Sequence, residues 1–155
     1  MISHQTWIRT LAVALAGALL VALALALTAY GSAATGATVK TRTTALGKIL
    51  VNAQGRSLYL FEKDKGSQSS CYSQCAKFWP PLLTTGKPIA AAGAKAGLLG
   101  TTKRTNGTVQ VTYAGHPLYL FLEDKQAGQT KGEGSKAFGA SWYVLMPSGK
   151  KIDKD

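Results

Sequence analysis

The sequence is poor in the residues that do chemistry. Acids are scarce: the 155 residues hold only Glu62, Asp64, Glu123, Asp124, Glu133, Asp153 and Asp155. Histidine occurs twice, and only His116 lies beyond the first thirty residues. One imidazole leaves no Ser-His-Asp order to assemble. Cys71 and Cys75 are the only cysteines. They are too few for a structural zinc site, and the Cys-x-x-Cys-His of haem attachment is absent. "GEGSK" near 132–136 lacks the spacing of a phosphate-binding Gly-rich loop. Asp64 and Asp124 could form an acid/base pair only if one stayed protonated. Each is followed at once by a lysine, Lys65 and Lys125, which favours both being ionised. The expectation is a protein that is not an enzyme and carries no cofactor.

Lysine and arginine outnumber the acids by 18 to 7. That balance favours anionic surroundings such as phosphate-rich wall polymers or lipid headgroups. The basic residues are scattered, with no run longer than two, so a solvated basic surface is the plainer reading and no nucleic-acid partner is expected. Arg9 is the only base before Lys40, and from Leu11 to Tyr30 the chain is almost wholly Leu, Ala, Val, Gly and Thr. A charged start, an apolar run and the small residues of "GSAATGA" describe a secretory signal, with cleavage near Ala33. If left uncut, residues 11–30 are long enough to hold the chain in a bilayer. "LTAYG" at 27–31 follows a lipobox pattern, with Tyr30 where the lipid-bearing Cys would stand. A phenol cannot carry a thioether-linked lipid. Residues 34–155 are then one exported domain, working on the outer side of the cytoplasmic membrane.

Within that domain, "LYLFEKD" at 58–64 returns as "LYLFLED" at 118–124. Gly47 and Gly107, Gly55 and Gly115, Leu58 and Leu118, and Tyr59 and Tyr119 all stand sixty apart. Upstream, "GKILVNAQGRSLYLF" and "GTVQVTYAGHPLYLF" each read as two strands around a Gly turn. "TNGT" at 105–108 marks a tight turn after a strand near 98–104, with "VKTRTTA" at 39–45 as its counterpart. Leu58 and Leu60 face one way and Tyr59 and Phe61 the other, so this strand is expected to be covered on both faces. "WYVLMPSGKKI" reads as a closing strand, a turn and a short final strand. "PIAAAGAKAG" at 88–97 is the one stretch of helical composition, weakened by its two glycines. The expected fold is all-β. Two related antiparallel units of three to four strands, about 38–87 and 98–147, pack with pseudo-twofold symmetry into one small domain. Neither unit buries enough apolar surface to fold alone.

The tandem Tyr-x-Phe/Trp/Tyr-x-x-Asp pattern resembles the family of bacterial secreted repeats and predicted lipoproteins named for that motif. "CYSQCAKFWPPL" is similar to its Cys-x-x-x-Cys and Trp-Pro-Pro segment. The resemblance covers about residues 38–147. It implies an exported envelope protein of unknown activity, and the missing lipidation Cys sets this chain apart.

The motif residues Tyr59, Phe61, Asp64, Tyr119, Phe121 and Asp124 are the candidate ligand-binding set. Asp64 and Asp124 could hold a cation or a hydroxyl-rich ligand, with the tyrosines stacking beside them. The simpler reading is structural: Asp at a strand end caps the next turn, and a buried Tyr needs a partner for its hydroxyl. On that reading Tyr59 is tied to Asp64 and Tyr119 to Asp124, each within its own repeat. Cys71 and Cys75 are expected to form a disulfide, as isolated pairs in exported chains do. The loop is short, so the gain is about 2 kcal/mol. Alternatively, two thiolates with His116 would suit Cu(I) or a thiol-redox role. The reading is of a non-catalytic exported envelope protein, with copper or redox chemistry as the alternative.

Overall fold

The computed structural model describes residues 35–153. The expected signal or anchor at 1–33 lies outside the described residues. Residues 34–155 make one compact unit with its own core.

The unit is all-β. Strand β1 (Thr38–Thr44) turns back into β2 (Gly47–Asn52) as an antiparallel hairpin, with Val39 opposite Asn52. The second repeat builds the same hairpin from β5 (Leu99–Lys103) and β6 (Val109–Tyr113), with Leu99 opposite Tyr113. "TNGT" turns as expected: Gly107 lies at positive φ, and Asn106 Oδ1 accepts the Thr108 N–H. The repeats do not keep one offset, however. Val39 and Leu99 are sixty apart, whereas their partners Asn52 and Tyr113 are sixty-one apart. An extra residue in the first turn of repeat two is cancelled by a shorter second turn, so the offset returns to sixty at the motif. The match of Gly47 with Gly107 is therefore not a match of strand positions, while Gly55 and Gly115 both sit in left-handed turns.

The remaining strands are short. They are β3 (Tyr59–Phe61), β4 (Ile89–Ala90), β7 (His116–Pro117), β8 (Lys136–Ala137) and β9 (Ala140–Val144). The sheets run β2-β1-β4, β5-β6-β7 and β3-β9-β8. Two features go beyond the expectation of two antiparallel units packed into one domain. β4 lies parallel to β1. The third sheet joins β3 of the first repeat to β9 of the second. The stretch 88–97 is not a helix. It is β4, a turn with Ala92 and Gly93 at positive φ, and then a single 3-10 turn over Ala96–Leu98. Left-handed residues cannot continue a right-handed helix.

Both faces of the motif strand are covered, as the alternation required. Leu58 and Leu60 pack with Val39, Leu50, Val111 and Leu145. Tyr59 and Phe61 pack with Ile49, Trp79, Trp142 and Val144. The strand thus runs between two apolar clusters, and every residue from Leu58 to Phe61 is buried.

Candidate functional site

The two motifs meet at their tyrosines. The Tyr59 N–H donates to the Tyr119 carbonyl at 2.9 Å, and the Tyr119 N–H returns a bond to the Tyr59 carbonyl at 3.0 Å. A residue exchanging both bonds with its own counterpart marks the local twofold axis. From this point each chain segment crosses into the other repeat. Phe61 pairs with Trp142 on β9, and the Leu60 position pairs with Tyr143. In mirror fashion the Leu120 N–H donates to the Pro80 carbonyl and the Leu122 N–H to Phe78. The Trp segment of each repeat therefore lies against the motif of the other.

The side chains cross in the same way. The Tyr59 hydroxyl donates to Asp124 Oδ2 at 2.5 Å. The Tyr119 hydroxyl donates to Asp64 Oδ2 at 2.7 Å and lies 2.8 Å from Ser69 Oγ. This corrects the expectation of ties within each repeat: Tyr59 reaches Asp124 and not Asp64, and Tyr119 reaches Asp64. The reason is geometric. Each Asp N–H closes a tight turn onto its own Phe carbonyl, Asp64 onto Phe61 and Asp124 onto Phe121. That turn carries the carboxylate past its own strand and across the axis. The other oxygen caps the following loop, as the turn chemistry of Asp suggests. Asp64 Oδ1 accepts the Ser70 N–H and hydroxyl, and Asp124 Oδ1 accepts the Lys131 N–H.

Burial dominates the electrostatics. It raises both carboxyls above the usual range, against the hydrogen bonds that pull them down. Lys65 and Lys125, which follow the two carboxyls in the chain, are both exposed. Burial also drives the Tyr59 and Tyr119 hydroxyls well above the normal tyrosine range, and the carboxylate each one faces adds to the shift.

Behind the ties lies an aromatic stack. Phe61 stacks on Trp142 at 3.9 Å, Trp142 on Trp79 at 3.9 Å, and Trp79 on Phe121 at 4.2 Å. Tyr59 meets Trp79 edge-on and Tyr119 meets Trp142 edge-on. All six candidate residues are brought together here, with Trp79 and Trp142 at the centre. Two arginines were missed. Arg56 donates to the carbonyls of Phe121 and Asp124, which holds the loop after the second motif. Arg104, almost fully buried, donates to Gln110, Ser69 and the Cys71 carbonyl in the first loop. Each arginine comes from the opposite repeat. Nothing in their sequence neighbourhood distinguishes them from surface bases.

Cys71 and Cys75 are joined as a disulfide, buried against the Trp cluster. His116 instead pairs with Tyr113 and lines an open cavity of about 650 Å³ with Glu62, Asp64 and Lys151. Among the described residues no three His, Cys, Asp or Glu side chains gather as a metal site. The copper trio is therefore not assembled.

The crossing can be tested by double-mutant cycles in urea unfolding. Tyr59→Phe with Asp124→Ala, and Tyr119→Phe with Asp64→Ala, are expected to couple by about 0.5–3 kcal/mol. Tyr59→Phe with Asp64→Ala should be additive. Strong coupling in that last pair would restore the local tie.

Comparison with known proteins places the chain in one family. A family described as "secreted repeat of unknown function" matches twice, over residues 40–83 and 100–146. No curated protein and no solved structure matches the chain.

Proposed function

The chain belongs to the family of secreted repeats of unknown function, and on that premise we propose a non-catalytic binding module of the cell envelope. It works on the outer side of the cytoplasmic membrane and engages an anionic, phosphate-bearing partner. One observation carries the reading. The conspicuous polar groups of both motifs are spent on holding the repeats together: Tyr59 on Asp124, and Tyr119 on Asp64. Each carboxylate also caps a loop with its second oxygen. A shared motif used this way supports a scaffold role for the motif and leaves recognition to the exterior. That exterior is basic, with 18 Lys and Arg against 7 acids in the chain. Attraction to phosphate-bearing polymers or headgroups follows from the charge balance and weakens with salt.

The test uses residues 34–155 with a linear phosphate polymer and, in parallel, with an uncharged polysaccharide. Binding to the first alone, weakening steeply between low and physiological salt, is the expected result. Equal binding to both, or binding to neither the phosphate polymer nor anionic lipid headgroups, would remove the reading.

A further inference from the structure

The twofold relation compares each surface position with its counterpart. In the first half the Glu62 N–H donates to the Ser141 carbonyl. In the second half the equivalent bond runs from Leu122 to Phe78. One half thus shows solvent Glu and Ser, and the other shows Leu and Phe. Both apolar side chains are exposed, Phe78 by 40% and Leu122 by 39%. The fold has no need of apolar residues here, because its other half does without them.

Phe138 extends this patch, with its ring 6.2 Å from Phe78. It occupies the two-residue turn between β8 and β9, at φ 61, followed by Gly139 at φ 89. Turns with two left-handed residues favour Asn-Gly. A Phe in that conformation is disfavoured, and this one is 38% exposed. The chain carries a strained aromatic at a turn tip where the core gains little. The rim is basic. Lys63 Nζ donates to the Phe138 carbonyl at 3.3 Å, Lys77 precedes Phe78, and Lys136 opens the β8 turn. Glu123, after Leu122, is the acidic neighbour.

We propose that Phe78, Leu122 and Phe138, ringed by Lys63, Lys77 and Lys136, form an insertion face for an anionic lipid bilayer. The inference rests on the anionic-partner reading above and names the partner. A patch of three apolar side chains is too small for the 20–30 residues a side of a specific protein interface. Insertion into a bilayer interface instead gains from each apolar side chain buried, and surrounding lysines add attraction to anionic headgroups. Aromatic rings sit well at that depth.

The test is flotation of residues 34–155 with vesicles of phosphatidylglycerol and phosphatidylcholine, against phosphatidylcholine alone. The triple variant Phe78→Ser, Leu122→Glu, Phe138→Asn places the other half's residues and a turn-favoured Asn on the patch. The wild-type chain should float with the anionic vesicles, and the variant should lose at least tenfold in partitioning. Phe138→Asn alone should raise the melting temperature while weakening flotation. A purely structural Phe138 would lose stability instead, which would overturn the proposal. Equal flotation of wild type and triple variant would also overturn it. So would a wild-type dimer that the triple variant dissolves. If the wild-type chain binds the phosphate polymer but no vesicle, this inference fails and the broader reading stands. If it binds neither, both fail.

Discussion

Above about pH 10 the domain is expected to lose stability at roughly 1.4 kcal/mol per pH unit for each of Tyr59 and Tyr119. The sign comes from proton counting. Below pH 10 both tyrosines are neutral in the folded and the unfolded chain. Above it, the unfolded chain's tyrosines ionise near their ordinary pKa. The folded ones do not, because burial and the facing carboxylates raise their pKa values beyond that range. The folded state then binds more protons, and its stability is lost as pH rises. By pH 11.5 the pair would cost about 4 kcal/mol, a large part of the 5–15 kcal/mol typical of a domain. The carboxyls contribute with the opposite consequence for acid. Their raised values stabilise below the ordinary Asp pKa, and that gain fades as pH climbs through the folded values. Acid should therefore not unfold the protein through these two groups. Lys151, raised by its bonds to Asp153 and Glu62, adds an alkaline loss of the same sign at the surface. The decisive comparison is hence with Tyr59→Phe, whose urea midpoint should fall along a slope shallower by one tyrosine's share. Ionisation of Tyr59 and Tyr119 in the folded chain at pH 10–11, with no loss of stability, would defeat the argument.

Much of this arrangement was legible in the sequence, for reasons that also set the limit. Leu58 to Phe61 alternate, and alternation with both faces apolar forces burial on two sides. "TNGT" and the Gly55 and Gly115 turns declare themselves through φ. Trp79, which follows the disulfide loop, is buried in the core. The crossing was not legible. A repeat in which Tyr59 reaches Asp64 and one in which it reaches Asp124 have the same sequence, because the partner residues are identical. Only the tight turns at Phe61–Asp64 and Phe121–Asp124 decide which carboxylate lies within reach, and turn direction is not written in residue type. Arg56 and Arg104 were hidden for a related reason. Arg56 is half-buried and Arg104 almost fully buried by carbonyls that converge on them, here those of Phe121, Asp124 and Cys71, and these come from distant chain.

Trp79→Ala and Trp142→Ala should each destabilise the domain by about 3–5 kcal/mol, the range for large aromatics in a packed core. Both rings are essentially inaccessible to solvent. Each fills the space between its partner Trp and the Phe of the opposite motif: Trp142 against Phe61, and Trp79 against Phe121. Either truncation leaves a cavity on the twofold axis, where both repeats lose contacts at once. Trp142→Ala also frees the Ala137 carbonyl from the indole N–H. The space cannot be refilled cheaply from the backbone. Gly132 approaches so closely that a methyl group there would stand 2.6 Å from the Trp79 ring, and the Gly132 N–H already points at the Tyr59 hydroxyl. Because the two indoles are each other's largest neighbour, the double variant should cost clearly less than the sum of the singles. Near-ultraviolet dichroism should collapse in either single variant, since the coupled stack is lost whichever ring is removed. Costs that simply add, or a single truncation below about 1 kcal/mol, would mean that the repeats are self-sufficient modules. The crossed core predicts the reverse: the Tyr59 and Tyr119 hydroxyls each donate to the other copy's carboxylate, and each indole stacks on the other copy's Phe, which is why a chain this size keeps two.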